Sequence, residues 1–178
     1  MGRFNAGALS APINLINQQT IGASLGADSL QKTLYAGLVG TLILIAFMIL
    51  YYRGFGLVAS LALLVYMIIT LGIFKLFGIT LTLAGIAGFI LSIGMAVDAN
   101  ILIFERTREE IKKGISKATA ISEGFKRAWP SIRDSNVTTI ITAVILYYFT
   151  SGFVQGFALA LLIGVIVSMF SAIFVTRN

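Results

Sequence analysis

The chain lacks two residue types on which much protein chemistry depends, cysteine and histidine. Without cysteine it can form neither a disulfide framework nor a thiolate metal site, and it offers no thiol nucleophile. Without histidine it lacks the side chain used most often as a general base and as a transition-metal ligand. These absences argue against an enzyme and predict a protein that works without a bound cofactor.

Charge is also scarce. Only 11% of the 178 residues are charged, whereas 58% are hydrophobic, and an average soluble domain carries about 25% charged residues. The apolar residues exceed what one globular core could bury, so the surplus is expected to face lipid. The apolar runs do not alternate with polar residues as the strands of a membrane barrel do, which favours helices.

The few charged residues divide the chain into membrane-spanning lengths. Lys32, Arg53, Lys75 and Asp98 bound three uncharged stretches of about 20 residues, the length of helix that crosses a bilayer. A longer stretch, from Asp134 to Arg177, can hold two spans that divide at the small and polar residues 150–152. The sequence thus predicts an all-α polytopic membrane protein, a five-helix transmembrane bundle over 33–178, with helices near 33–52, 56–75, 80–104, 136–150 and 156–176.

Basic residues set the expected orientation. Most of the 13 lysines and arginines fall in the 105–135 segment, and positively charged loops stay in the cytoplasm. That segment and the C-terminus are therefore expected in the cytoplasm, and residues 1–32 outside it. The net charge of +6 then needs no nucleic-acid partner. Residues 4–26 form a polar, turn-rich strip with short extended pieces such as 13–16, too small to fold alone.

The cytoplasmic loop 105–135 is expected to hold two short helices. The first has i,i+4 spacing of opposite charges in the pairs Arg106/Glu110 and Glu109/Lys113. Gly114 is expected to end it and Ser116 to cap the next. The second helix places four apolar residues on one face, Ala118, Ile121, Phe125 and Trp129. This face fits either the lipid interface or a connector docked on the bundle.

Small residues recur every fourth position in two spans. The last span has Gly156, Ala160, Gly164, Ser168 and Ala172, and the third has Ala84, Gly88, Ser92, Ala96 and then Asn100. Helices in lipid associate through such small residues because their backbones can approach closely. The two stripes predict a tight helix contact, either within the chain or with a second subunit.

Asp98 is the most informative single residue because it lies within a predicted span. An ionised carboxylate within a membrane raises the free energy of the protein, so an intramembrane aspartate usually has a function. A proton or ion role is therefore the leading hypothesis. Helical spacing puts small and apolar residues on its face, Ala84, Ala87, Leu91 and Gly94, and turns Asn100 about 200° away. The alternative is a structural carboxyl that bonds a neighbouring hydroxyl or backbone group.

No basic residue lies within the five predicted spans, so a cationic partner of Asp98 would have to come from another chain. The nearest polar groups are expected at the start of the fourth span, in the run 134–139 with Thr142 one turn further. There the hydroxyls of Thr138 and Thr139 could equally bond to their own helix.

The string from Gly85 to Arg106, followed by Arg108-Glu-Glu110, resembles the signature of the SecD family of protein-export subunits in the resistance-nodulation-division superfamily. Three further segments resemble it in the same order: residues 20–26, residues 134–139, and residues 156–158 leading to 176–177. Small-molecule exporters of the superfamily typically carry adjacent aspartates where this chain has Asp-Ala-Asn.

The resemblance implies half of a twelve-helix assembly in the bacterial cytoplasmic (inner) membrane, which uses the proton-motive force to promote polypeptide export. It implies protons as the coupling ion, and as partners a SecF-like subunit, the SecYEG channel, the translocating polypeptide and membrane lipids. Asp98 matches the family's proton-relay aspartate, and the supporting polar residues are Asn100, Asp134, Asn136 and Thr139. The runner-up hypotheses are a superfamily transporter of lipids or small molecules, and a scaffold in which Asp98 never titrates.

Two departures from the family pattern stand out. Members normally have a first transmembrane helix and a large external domain ahead of the helix expected near 33–52. Residues 2–12 resemble a remnant of the end of that domain, so a fragment, a split protein or a domain-deleted relative is expected. In addition, Ser135 stands where the family usually has alanine.

Overall fold

The computed structural model describes residues 23–174, and within that range the chain forms five helices and no strand. They are α1 (Ala23–Tyr52), α2 (Gly54–Leu76), α3 (Leu83–Lys112), α4 (Lys117–Phe149) and α5 (Gly152–Phe174). The extended pieces expected near 13–16, the proposed domain remnant at 2–12 and the end of the last predicted span lie outside the described residues.

Four of these helices are long and apolar enough to cross a membrane: α1 over Gly26–Tyr52, α2, α3, and α5 over Gly152–Ala172. The fourth helix, α4, falls outside this set because its first half is charged and the residues that follow include serine, asparagine and threonine. It nevertheless packs along both α3 and α5. The described part of the chain is therefore an all-α membrane protein built as a five-helix bundle.

The first helix begins well before the predicted boundary near residue 33. Residues 23–32 are helical, so the turn-rich strip expected over residues 4–26 is wrong at its C-terminal end. The physical reason is local, because alanine, leucine, glutamine and lysine favour helix. In addition, Lys32 forms an i,i+4 ion pair of 2.7 Å with Asp28. Charge had been read as the end of a span, but it does not end a helix.

The 105–135 segment is not a loop. The third helix, α3, starts at Thr82, whose Oγ1 accepts a hydrogen bond from the Gly85 N–H (3.1 Å), and it continues to Lys112. Gly114, at φ 87°, follows its end as predicted, and the Ser116 hydroxyl accepts from the Thr119 N–H as the expected cap.

The predicted boundary of the fourth span at residue 136 is also wrong. The fourth helix continues without interruption from Lys117 to Phe149 and includes Pro130. Proline removes one backbone hydrogen bond inside a helix, yet the packing of α4 on α3 keeps this one continuous. Its buried face is a four-residue repeat, Ala120, Gly124, Ala128 and Ile132. The first half of α4 is therefore docked on the bundle through this face. Ala118 and Ile121 of the predicted stripe are exposed in the isolated chain, so their contact with the lipid interface stays a prediction.

The ion pairs of this hairpin also differ from those predicted. They form at i,i+3 spacing, Arg106 with Glu109 (3.0 Å) and Lys113 with Glu110 (2.7 Å). The reason is that Glu110 is buried against α4, where it also pairs with Arg127.

The two small-residue stripes face each other, which confirms the intramolecular contact. On α3, Ser92 is fully buried, and a Cβ placed on Gly88 would lie 2.6 Å from the Phe157 carbonyl oxygen of α5. On α5, a Cβ on Gly164 would lie 2.3 Å from the Ser92 Oγ. This contact fixes α3 in the centre of the bundle, with α4 beside it, and so determines where Asp98 lies.

Candidate functional site: a groove beside Asp98

Asp98 lies in a groove of about 250 Å³ between α3 and α4. Each helix contributes one face in the i, i+3, i+4, i+7 pattern of helical neighbours. The third helix supplies Met95, Asp98, Ala99 and Leu102, and the fourth supplies Ile132, Ser135, Asn136 and Thr139. The groove exists because Ala99 and Ile132 are buried together and hold the two helices close at its base.

The Asp98 side chain is exposed at the outer surface of the isolated chain, although its neighbours Val97 and Ala99 are buried. Ala87 and Leu91, predicted to share its face, are exposed as well. The Asp98 face of α3 therefore lies on the outside of the bundle. Ala84 is the exception, because it is buried. Among the described residues, Asp98 forms no hydrogen bond and no ion pair.

The α4 wall of the groove is polar, and both of its hydroxyls already donate their hydrogens within α4. Asn136 is buried and its Nδ2 donates to the Ile132 carbonyl (2.8 Å). The Thr139 hydroxyl donates to the Ser135 carbonyl (3.0 Å), and the Ser135 hydroxyl to that of Ile132 (3.1 Å). A hydroxyl that has donated its hydrogen can still accept one. The groove thus offers acceptor oxygens to a protonated carboxyl and few donors to an ionised one.

The remaining predicted residues lie elsewhere. Asn100 is buried on the inner side of α3, and its Nδ2 lies 3.5 Å from the Ala96 carbonyl oxygen. Asp134 is exposed and pairs with Arg133 at 2.9 Å. Of the five predicted polar residues, the structure therefore brings together Asp98, Asn136 and Thr139. Asp134 does not line the groove, because it lies two positions before Asn136 and so on another face of α4.

Ser135, which departs from the family pattern and was not predicted as a site residue, also lines the groove. The signal was present in the spacing, since residues 132, 135, 136 and 139 share one helical face. The prediction that Thr138 and Thr139 could bond to their own helix is confirmed, because both hydroxyls donate to carbonyls four residues earlier.

No basic side chain is among the described residues that line the groove. A carboxylate held on a transmembrane helix without a cation is costly if it stays ionised. The described residues leave the outer face of Asp98 uncovered and supply no cation to the groove. The groove is therefore chemically incomplete within the described part of the chain.

Fold and groove together define a class: a polytopic helical membrane protein with an unpartnered carboxyl on the side of its bundle. The chain belongs to the family described as "Protein export membrane protein SecD/SecF, C-terminal", which it matches over residues 5–178.

Named relatives agree with this assignment. The chain is 55% identical, over 99% of its length, to the protein translocase subunit SecD of Thermobaculum terrenum, and covers 35% of that protein. It is 51% identical, over 99% of its length, to SecD of Synechocystis, and covers 37% of that protein. The chain thus spans about a third of the length of the curated relatives it matches.

Solved structures agree as well. SecDF from Thermus thermophilus, a translocon-associated membrane protein, superposes with a TM-score of 0.85 at 42% identity, over 88% of this chain and 22% of that one. A SecDF structure in the super-membrane-facing form gives 0.81 at 43% identity, over 88% and 21% of the two chains. The predicted family and fold class are confirmed.

Proposed function

We propose that this chain is the membrane module of a SecD-type subunit that uses the proton-motive force to promote polypeptide export across the bacterial cytoplasmic membrane. The observation that carries the proposal is Asp98, an exposed carboxyl on a transmembrane helix with no partner among the described residues. The relatives named protein translocase subunit SecD supply the process in which such a group would act.

In this proposal Asp98 takes up a proton while its carboxyl faces acceptor oxygens of α4, and releases it when a cation approaches from outside the chain. The cation is expected on a SecF-like subunit packed over the groove, because no basic residue in the described part of the chain lines it. The SecYEG channel and the translocating polypeptide are the further expected partners. The coupling ion is the proton, and no other cofactor is required.

The proposed orientation follows the basic residues. The hairpin formed by the end of α3 and the start of α4 carries most of them, so it is placed in the cytoplasm together with the C-terminus. The turn between α2 and α3 then lies on the outer side. The named relatives are translocase subunits, and no observation favours a transporter of lipids or small molecules.

The test is an Asp98→Asn substitution in the complete export complex, with proton-driven translocation of a secreted protein as the readout. Asparagine keeps the shape of the side chain but cannot exchange a proton, so we expect the proton-dependent part of export to be lost. Asp134→Asn is the matched control, because Asp134 pairs with Arg133 outside the groove, and it should keep most of the activity. Normal proton-dependent export by the Asp98→Asn complex would contradict the proposal.

A further inference from the structure

A second cavity, of about 470 Å³, lies at the turn between α1 and α2 and shares no residue with the Asp98 groove. Its polar lining comprises Arg53 of the turn, Arg108 of α3 and the tyrosines Tyr51 and Tyr52 of α1. Both α1 and α2 are long and apolar enough to cross a membrane. The turn that joins them must therefore lie at a membrane surface, whichever way the chain is oriented.

Arg53 occupies an unusual backbone conformation. It has φ 49° and ψ −115°, in a region that favours glycine, although the next residue is itself a glycine, Gly54. The two helices approach closely beside this turn, because a Cβ on Gly56 would lie 2.0 Å from the Met48 carbonyl oxygen. Backbone outliers of this kind persist only where the surrounding structure fixes them, and they cluster at functional sites. Here the turn fixes the arginine at the edge of the cavity.

The charge of the cavity suits a monoanion. Arg53 is exposed and forms no ion pair with any described residue, whereas Arg108 lies 4.0 Å from Glu105. Two guanidinium groups against one carboxylate leave a single positive charge. No side chain caps the N-terminus of α2 at Arg53, so the positive end of that helix dipole adds to the attraction for an anion.

Guanidinium groups bind phosphate oxygens in a bidentate geometry that adds both energy and specificity. A phosphodiester carries one negative charge and matches the net charge of the cavity. The chemistry of the polar lining therefore points to a phosphate group.

The rest of the lining is aromatic and continues into an apolar surface. Phe55 and Phe104 lie with ring centroids 5.2 Å apart at the back of the cavity. Tyr51 stacks on Phe47 at 5.6 Å, and both belong to the exposed outer face of α1 with Leu50. Tyrosines are enriched at the headgroup level of membranes. An acyl chain would thus find an apolar path directly beside the phosphate position.

We propose that this cavity binds the headgroup of an anionic phospholipid, with Arg53 and Arg108 on the phosphate and the acyl chains along the Phe47 face of α1. The site holds the α1–α2 turn at the membrane surface. It is independent of the proton role of Asp98, since the two sites share no residue.

The test uses the full chain in detergent and counts bound phosphatidylglycerol by native mass spectrometry, with phosphatidylcholine as the zwitterionic comparison. We expect Arg53→Gln/Arg108→Gln to lower phosphatidylglycerol retention roughly tenfold, as expected for loss of charge-assisted hydrogen bonds. Lys75→Gln and Lys112→Gln are the matched controls, because each removes one positive charge from a residue that does not line the cavity. Arg108→Gln alone leaves the α1–α2 turn unchanged and should lower phosphatidylglycerol retention severalfold. This single variant replaces the double variant in the test if the double variant unfolds.

Competition with inorganic phosphate distinguishes a site for a phospholipid headgroup from a site for free phosphate. We expect inorganic phosphate not to displace phosphatidylglycerol, because it has no acyl chain to occupy the apolar path. Three results would overturn the proposal: full retention by Arg108→Gln and the double variant, equal loss in the lysine controls, or displacement by inorganic phosphate.

Discussion

At the scale of single residues, the bundle depends on places where no side chain larger than hydrogen fits. Gly164 of α5 faces Ser92 and Tyr66, and a Cβ there would lie 2.3 Å from the Ser92 Oγ and 2.8 Å from the Tyr66 hydroxyl oxygen. Those two hydroxyls are themselves bonded at 2.7 Å. Ser92 already donates its hydrogen to the Phe89 carbonyl, so Tyr66 must be the donor between them. This pair of hydroxyls thus links α2 to α3, and Gly164 of α5 packs directly against it.

We therefore expect Gly164→Val to destabilise the bundle by about 1–3 kcal/mol, the usual cost of overpacking a close contact. The measurement is the midpoint of thermal unfolding in detergent, followed by circular dichroism. Gly72→Val is the matched control, because a Cβ at Gly72 meets nothing within 4 Å. Equal midpoints for the two variants would show that the α3–α5 contact does not limit stability.

Sequence spacing predicted which residues share a face with Asp98, but not which way that face points. Every fourth residue of α3 is small on one side and small or apolar on the other, so both sides looked suitable for packing. The outcome depends on α5, whose glycines admit the Ser92 side of α3 and leave the Asp98 side outside. Burial of a particular face is a property of the partner helix and cannot be read from one helix alone.

At the scale of elements, the main feature that the sequence did not reveal is the continuity of α4. Charged residues predicted a cytoplasmic loop that holds a separate short helix, yet the chain is helical from Lys117 to Phe149. The repeat Ala120, Gly124, Ala128 was present in the sequence. The larger residues Phe125 and Trp129 define a more prominent apolar face, and those two rings stack on each other at 5.7 Å.

The hairpin of α3 and α4 is held at one very close point. A Cβ on Gly124 would lie 2.4 Å from the Thr107 Oγ1 and 2.8 Å from its Cα, and Thr107 is buried with its hydroxyl unpaired among the described residues. Close to this contact, the buried Glu110 pairs with Lys113 and Arg127. The contact therefore fixes the angle at which α4 leaves the hairpin and enters the bundle beside Asp98.

We expect Gly124→Val to separate the two arms of the hairpin, because neither the Thr107 backbone nor its side chain can move aside freely. Hydrogen–deuterium exchange should then become faster over 105–128, while α2 and α5 keep their protection. Ser122→Val provides the control, since it places the same side chain on an exposed position of α4. Unchanged exchange in Gly124→Val would show that the hairpin does not depend on this contact.

At the scale of the whole molecule, composition alone gave the class of protein, because so little charge leaves no alternative to lipid. Five helices were predicted, and the described residues form five. The family resemblance rests on segments of α3, α4 and α5 together with residues 20–26 and 176–177, which lie partly or wholly outside the described residues. The sequence could not show which side of the bundle stays open to lipid or to other proteins. The Asp98 groove opens on the side of the bundle, and no described residue covers its opening.

The proposed orientation can be tested directly because the chain has no native cysteine. We expect Thr80→Cys, in the α2–α3 turn, to react with an impermeant maleimide in intact spheroplasts. Lys112→Cys, at the end of α3, should react only after permeabilisation. Both side chains are exposed, so a failure to label would not reflect burial within the chain. The reverse pattern would invert the topology derived from the basic residues.

The central claim is that Asp98 gains and loses a proton in the working complex. The most direct measurement is infrared difference spectroscopy of the assembled complex between two pH values, with the Asp98→Asn complex as the reference. We expect a protonated-carboxyl band that appears at the lower pH in the unmodified complex and is missing from the variant. Identical difference spectra for the two complexes would show that Asp98 does not titrate, and would contradict its role as the proton carrier.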